Sequence, residues 1–227
     1  MSEQIQHECA LAFIRLLKPI DYYYEKYGTA LYGINKLQLL LLKQRNRGQD
    51  GAGLATVKLN VEPGSRYISR RRSNSANYLT DLFDGVYAHF NSLTEEQMEP
   101  QWLLANKPYI GEVLLGHLRY GTHGANTLEK VHPFHRPNNW ITRNLILAGN
   151  FNMTNVDELF QKLLDLGQFP KEKSDTVTVL EKIGHFLDED VNRIFAIGKE
   201  RGLSNTAINQ LIYDNLDIGS ILSKSAK

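Results

Sequence analysis

The chain's only cysteine, Cys9, lies in the stretch QHECALAF, directly before an apolar run. A thiol is a capable nucleophile once its proton is removed, yet nothing adjacent to Cys9 obviously lowers its pKa, and an isolated cysteine often serves only as packing. Other groups suited to chemistry cluster in three glycine-rich stretches. RGQDGAG (47–53) offers Arg47 and Asp50, GHLRYGTHG (116–124) offers Arg119, Thr122 and His123, and GNFNMTN (149–155) offers Asn150 and Asn152. Loops at strand ends aim side chains well because the sheet fixes both ends of the loop. In the first of them Arg47 and Asp50 can pair across the turn. His117, His123, His132 and His135 follow no common zinc spacing and lack a thiolate partner, so no metal site is expected. The run Arg70–Arg72 reads as solvated surface, and the tyrosines of DYYYEKYG (21–28) as a half-buried aromatic patch. Neither a Walker loop nor a GxGxxG stretch is present.

The elements that must position these groups alternate between short strands and longer amphipathic helices. Residues 9–15 read as a strand, 32–44 (YGINKLQLLLLKQ) as a deeply buried helix and 53–59 as the next strand. The segment 112–124 begins as a strand and breaks at glycines, as does 144–152, whereas 60–110 gives no clear pattern. From there the chain is helical. Asn155 is the expected N-cap of a helix stopped by Gly167, and a second helix opens after Ser174, with 192–199 and 206–213 as further helical segments.

The 227 residues suit one large domain or two small ones, and a formal charge of +1 gives no field that would select nucleic acid or a membrane surface. One cysteine excludes an internal disulfide. With neither an apolar span of membrane length nor a cationic leader before Cys9, the expected location is the cytoplasm.

Taken together, RGQDGAG, GHLRYGTHG and N-x-N-M-T-N followed by S-D-T resemble, in order, the class II or N-terminal-nucleophile glutamine amidotransferases. RGQDGAG is the most discriminating motif and favours the glutaminase domain of the amidophosphoribosyltransferases over the aminosugar-forming and asparagine synthases. The resemblance covers Cys9 to about Thr178, with a poorly matching insert near 60–110. It implies an α+β fold, the four-layer αββα sandwich of the N-terminal-nucleophile hydrolases, preceded by a propeptide of residues 1–8. It also assigns roles. Cys9 is the expected nucleophile, its own α-amine, freed by removal of residues 1–8, the base, and Asn150 with the Phe151 N–H the oxyanion donors. Arg119 is expected to fork onto the glutamine α-carboxylate, Asp175 to hold the α-ammonium, and Thr122 to line the pocket. An α-amine with a pKa of about 8 suits a base at neutral pH, which an amide nitrogen cannot be.

Two positions depart from the family pattern. Phe151 replaces a glycine and is strained, or shifts its loop, if that glycine has positive φ. Ala10 replaces another, and its methyl group is either tolerated or crowds the pocket. The strands that normally complete the sandwich and the phosphoribosyltransferase domain have no counterpart before Lys227, so a truncated domain is expected. Glutamine is the expected substrate, no cofactor is expected in this chain, and magnesium is expected only with the missing acceptor domain. The parent protein is expected to be a homo-oligomer. Two alternatives stay open: a glutaminase feeding an aminosugar or asparagine synthase, and an inactive domain with only a binding role.

Overall fold

A four-stranded antiparallel sheet organises the first of two compact units in the computed structural model, which describes residues 8–121 and 126–226. This unit comprises the chain to Pro133 together with Ala148–Asn150, and the second comprises Phe134–Leu147 and the chain from Phe151 onward. The first unit runs β1 (Ala10–Arg15), α1 (Ile20–Tyr27), α2 (Tyr32–Lys43), β2 (Gly51–Val57), β3 (Ile68–Ser73), α3 (Tyr78–Tyr87), α4 (Pro100–Asn106) and β4 (Val113–Arg119). The spatial order is β1-β4-β2-β3. β4 therefore lies between two partners, with Ala10 opposite Leu118 on one side and Ala52 opposite Leu118 on the other.

Alternation along the strands sorts the two faces of the sheet. Ala10, Ala12, Leu54, Leu114 and Leu118 are buried and join Ile34, Leu37 and Leu41 of α2 and Leu82, Phe83 and Val86 of α3 in one core. Ala10 thus spends its methyl group in the core, where the sequence left open whether it would crowd the site. The other face carries His117 and Arg119 of β4, Gly53 of β2 and Arg70 and Arg72 of β3.

The segment 60–110, illegible in sequence, supplies β3, α3 and α4. The run Arg70–Arg72 is part of a strand and not solvated surface. Arg72 Nη1 donates to the Val131 carbonyl at 2.9 Å and to the Glu129 carbonyl at 3.1 Å, while Arg70 Nη1 donates to the Pro133 carbonyl at 3.2 Å. Arg71 pairs with Asp81 of α3 at 3.5 Å. In α1, Tyr23 and Tyr27 stack on Tyr32 of α2 with ring centroids 4.9 and 4.4 Å apart, which is the aromatic patch expected there.

The second unit holds a short hairpin, β5 (Phe134–Arg136) with β6 (Leu145–Leu147), and helices α5 (Val156–Asp165), α6 (Asp175–Glu200), α7 (Asn205–Asn215) and α8 (Ile218–Ser225). Asn155 precedes α5 but makes no side-chain cap, in contrast to Ser174, whose hydroxyl accepts the Val177 N–H at 3.3 Å. Residues 192–199 belong to α6 and do not form a separate helix, because the buried stripe Leu187, Val191 and Ile194 continues with no breaker between. Arg136 is held by Glu181 at 3.0 Å and by Asp188 at 2.6 Å. Among the described residues no helix is long and apolar enough to cross a membrane.

The segment around His132 lies close against β2, since a Cβ at Gly53 would sit 2.0 Å from the His132 carbonyl oxygen. Gly53→Ala should therefore lower the unfolding free energy by about 1–3 kcal/mol, measured as a drop in the urea midpoint.

Candidate functional site

The end of β4 gathers several groups flagged in the sequence. Cys9 is partly buried, and its Sγ lies at the Tyr120 backbone: the Tyr120 N–H donates to it at 3.4 Å and the Tyr120 carbonyl oxygen is 3.8 Å away. Proximity follows from register, because Cys9 immediately precedes Ala10, the partner of Leu118. On the opposite side of β4, Gly51 pairs with Arg119, and the Asp50 N–H donates to the Arg119 carbonyl at 2.9 Å. The Asp50 carboxylate turns toward the next residues of the β4 loop and accepts the Gly121 N–H at 2.6 Å. The pairing open to Arg47 and Asp50 does not form. Arg47 instead meets Glu8, the residue preceding the nucleophile candidate, at 3.2 Å, and Asp50 spends its charge on the Gly121 amide. Gly48 explains the close passage of this loop, since a Cβ there would lie 2.6 Å from the Leu118 carbonyl.

Arg119 is only 8% exposed, and its Nη1 donates to Asn126 Oδ1 at 2.7 Å. Among the described residues no carboxylate forms an ion pair with it. A buried guanidinium ordinarily has a charged partner, because desolvation is costly without one. What this geometry offers is a nearly buried cation with capacity for an anion, next to Tyr120, whose backbone contacts a thiol. Thr122 and His123 lie outside the described residues.

Asn150 is exposed, at the end of the stretch that belongs to the first unit. Phe151 and Asp175 belong to the second. Among the described residues only Asn60 and Tyr109 are non-glycine residues with positive φ, so Phe151 escapes the strain considered for it. Asp175 is the first residue of α6, and its Oδ2 accepts the Met153 N–H at 2.8 Å. That bond ties Met153 to the α6 N-terminus within the second unit.

Two histidines that the sequence offered only as unsuitable metal ligands occupy the sheet face beside Arg119. His117 is 1% exposed and His132 9%, with ring centroids 4.4 Å apart. Burial pushes the His117 imidazole down to about 3, and its neighbours His132 and Arg119 push the same way. Burial likewise brings His132 down to about 4, with Arg119 and Arg72 adding to it and the Gly149 backbone opposing. Both rings are therefore neutral at pH 7. Tyr120, Asn126 and the Asp50–Gly121 bond were not foreseeable as site features, because the residue types are ordinary and only the register of β4 brings them together.

With this geometry in view, comparison with known proteins places the chain. An amidophosphoribosyltransferase of Lacticaseibacillus casei is 29% identical over 139 residues, covering 61% of this chain and 58% of that protein. The chain is a homologue of the amidophosphoribosyltransferases. One from Archaeoglobus fulgidus is 25% identical over 79% of this chain and 33% of its own length. A glutamine–fructose-6-phosphate aminotransferase of Zymomonas mobilis is 32% identical over 39% of the chain and 13% of its own length. No protein-family model matches. The homologous amidophosphoribosyltransferases carry the name of a transferase enzyme family, and the match is consistent with a glutamine amidotransferase domain at the N-terminal part of such enzymes. The chain spans less than two thirds of the length of these relatives.

Because both buried imidazoles titrate lower when folded than the about 6.5 of an unfolded histidine, unfolding takes up protons below that pH. The stability they allow is complete above about pH 6.5 and is lost as pH falls toward 4, by on the order of a few kcal/mol. Urea unfolding at pH 7 and pH 4.5 should show a smaller loss for His117→Phe than for the unsubstituted chain.

Proposed function

We propose that this chain is the glutaminase part of an amidophosphoribosyltransferase, with the αββα arrangement of the N-terminal-nucleophile hydrolases as its fold. The observation that carries the reading is Arg119, buried next to Tyr120, whose backbone contacts the Cys9 thiol, with no carboxylate partner among the described residues and so suited to the α-carboxylate of an amino acid. A planar two-pronged donor matches a carboxylate in a way that the point charge of lysine does not. The opposite charge of the substrate, its α-ammonium, is assigned to Asp175, and Thr122 to the pocket wall.

In this reading the leading residues 1–8 are removed as a propeptide, and the freed α-amine of Cys9 takes the thiol proton. The Sγ attacks the side-chain amide of glutamine, forming an S–C bond. The negative charge on the carbonyl oxygen is met by the Asn150 carboxamide and the Phe151 N–H. Collapse of this intermediate breaks the C–N bond and releases ammonia, which carries away the proton. Water then cleaves the thioester, giving glutamate and restoring the thiol. In the full-length protein the ammonia passes to phosphoribosyl pyrophosphate on an acceptor domain. The resemblance to the Zymomonas mobilis aminotransferase supports a second acceptor, a sugar phosphate, with the same glutaminase chemistry.

A glutamine-analogue electrophile such as 6-diazo-5-oxo-L-norleucine should add to Cys9 in a chain lacking residues 1–8, and glutamine should protect against it. Peptide mass spectrometry reads the adduct, and absence of labelling in the processed chain would remove Cys9 from the role. Arg119→Lys should raise KM for glutamine by about tenfold or more while changing kcat less, since one prong of the clamp is lost. An unchanged KM in steady-state assays of ammonia release would take Arg119 out of the pocket.

A further inference from the structure

The imidazole of His132 is placed between the sheet and the Gly149–Asn150 turn, and three observations tie it there. First, its Nδ1 accepts the Gly149 N–H at 3.3 Å, which requires that nitrogen to be unprotonated. Second, the segment that carries it is pinned from β3 on both sides, by Arg72 to the Val131 carbonyl at 2.9 Å and by Arg70 to the Pro133 carbonyl at 3.2 Å. Third, the ring packs on His117 of β4, so the sheet backs it. Asn150 is exposed, and its side chain has no hydrogen-bond partner among the described residues. Its neighbour Gly149 is thus the anchor of the turn on the first unit.

We propose that His132 is a positioning residue for the Gly149–Asn150 turn: its neutral Nδ1 holds the Gly149 N–H and so sets where the Asn150 carboxamide can reach. This rests on the role proposed for Asn150 as an oxyanion donor. Burial favours the neutral ring, and among the described residues the charged groups acting on it, Arg119 of β4 and Arg72 of β3, are cationic and favour it too, against the Gly149 backbone; His117 lies beside it. Among the described residues no group of three or more His, Cys, Asp or Glu side chains that could hold a metal ion includes the two imidazoles. A carboxamide on the turn is useful only if held in place before the oxyanion forms, because preorganised donors outperform those that must be ordered during reaction.

Two substitutions separate this role from simple packing. His132→Asn keeps an acceptor oxygen near the Nδ1 place, and His132→Leu removes it. Hydrogen exchange of the Gly149 amide, read by mass spectrometry on peptides spanning the turn, should be about tenfold faster in His132→Leu and within about threefold of the original in His132→Asn. For ammonia release from glutamine, kcat should fall about ten- to a hundredfold in His132→Leu with KM little changed, and recover in His132→Asn. Unchanged exchange in His132→Leu, or equal damage by both substitutions, would overturn the proposal. Should His132→Leu fail to fold, His132→Gln replaces it. Its longer side chain puts the acceptor near the Nε2 place, and it should expose the Gly149 amide where His132→Asn does not; protection equal to that in His132→Asn would overturn the proposal. If the unsubstituted chain releases no ammonia, the glutaminase reading falls, and the exchange comparison still decides the role of His132.

Discussion

Everything at the candidate site depends on β4 being paired along both edges. Leu118 sits opposite Ala10 of β1 and Ala52 of β2, so one residue aligns the start of two strands that are far apart in sequence. Cys9 and the 47–50 loop are delivered to the same end of β4 by that double register. Side chains alternate with a period of two, so slippage of β4 by one residue would turn Arg119 and His117 into the apolar core and bring Leu118 out. The cost of burying a guanidinium against Leu37, Leu41 and Leu82 would forbid that arrangement. The same pattern that builds the core therefore places the reactive groups.

The electrostatics of this face follow from what surrounds Arg119. Neutral imidazoles lie beside it, the hydrogen bond it makes is to an amide oxygen, and the nearby Asp50 carboxylate is committed to the Gly121 N–H. Its charge is thus not cancelled by an ion pair among the described residues, at a burial where cancellation is the rule. Keeping His117 and His132 neutral is consistent with this, since a second cation in the same space would be repelled.

Part of this organisation was legible in the residues. The strand at 9–15, the buried helix at 32–44 and the break of β4 at its glycines stand close to β1, α2 and β4, because apolar periodicity and glycine punctuation are local signals. β3 was not legible. ISRRRS shows three consecutive arginines, and its pattern makes sense only once Arg70 and Arg72 are seen to hold the carbonyls of the segment 129–133, a long-range contact. Arg47 and Asp50 looked like partners because they are three apart, whereas the fold supplies each with a partner elsewhere, Glu8 and the Gly121 amide. His132 carried no local sign of its contact with Gly149, seventeen residues away.

In the proposed reading Arg119, which forms no ion pair among the described residues, holds the α-carboxylate of glutamine. Calorimetric binding to a Cys9→Ala chain, which cannot turn substrate over, tests it most directly. L-Glutamine and L-glutamine α-amide differ only in that the second has lost the carboxylate charge. Glutamine should bind at least about a hundredfold more tightly than the amide, a gap worth about 3 kcal/mol, and Arg119→Gln should remove most of the gap. Equal binding of the two ligands, or a gap that survives Arg119→Gln, would contradict it.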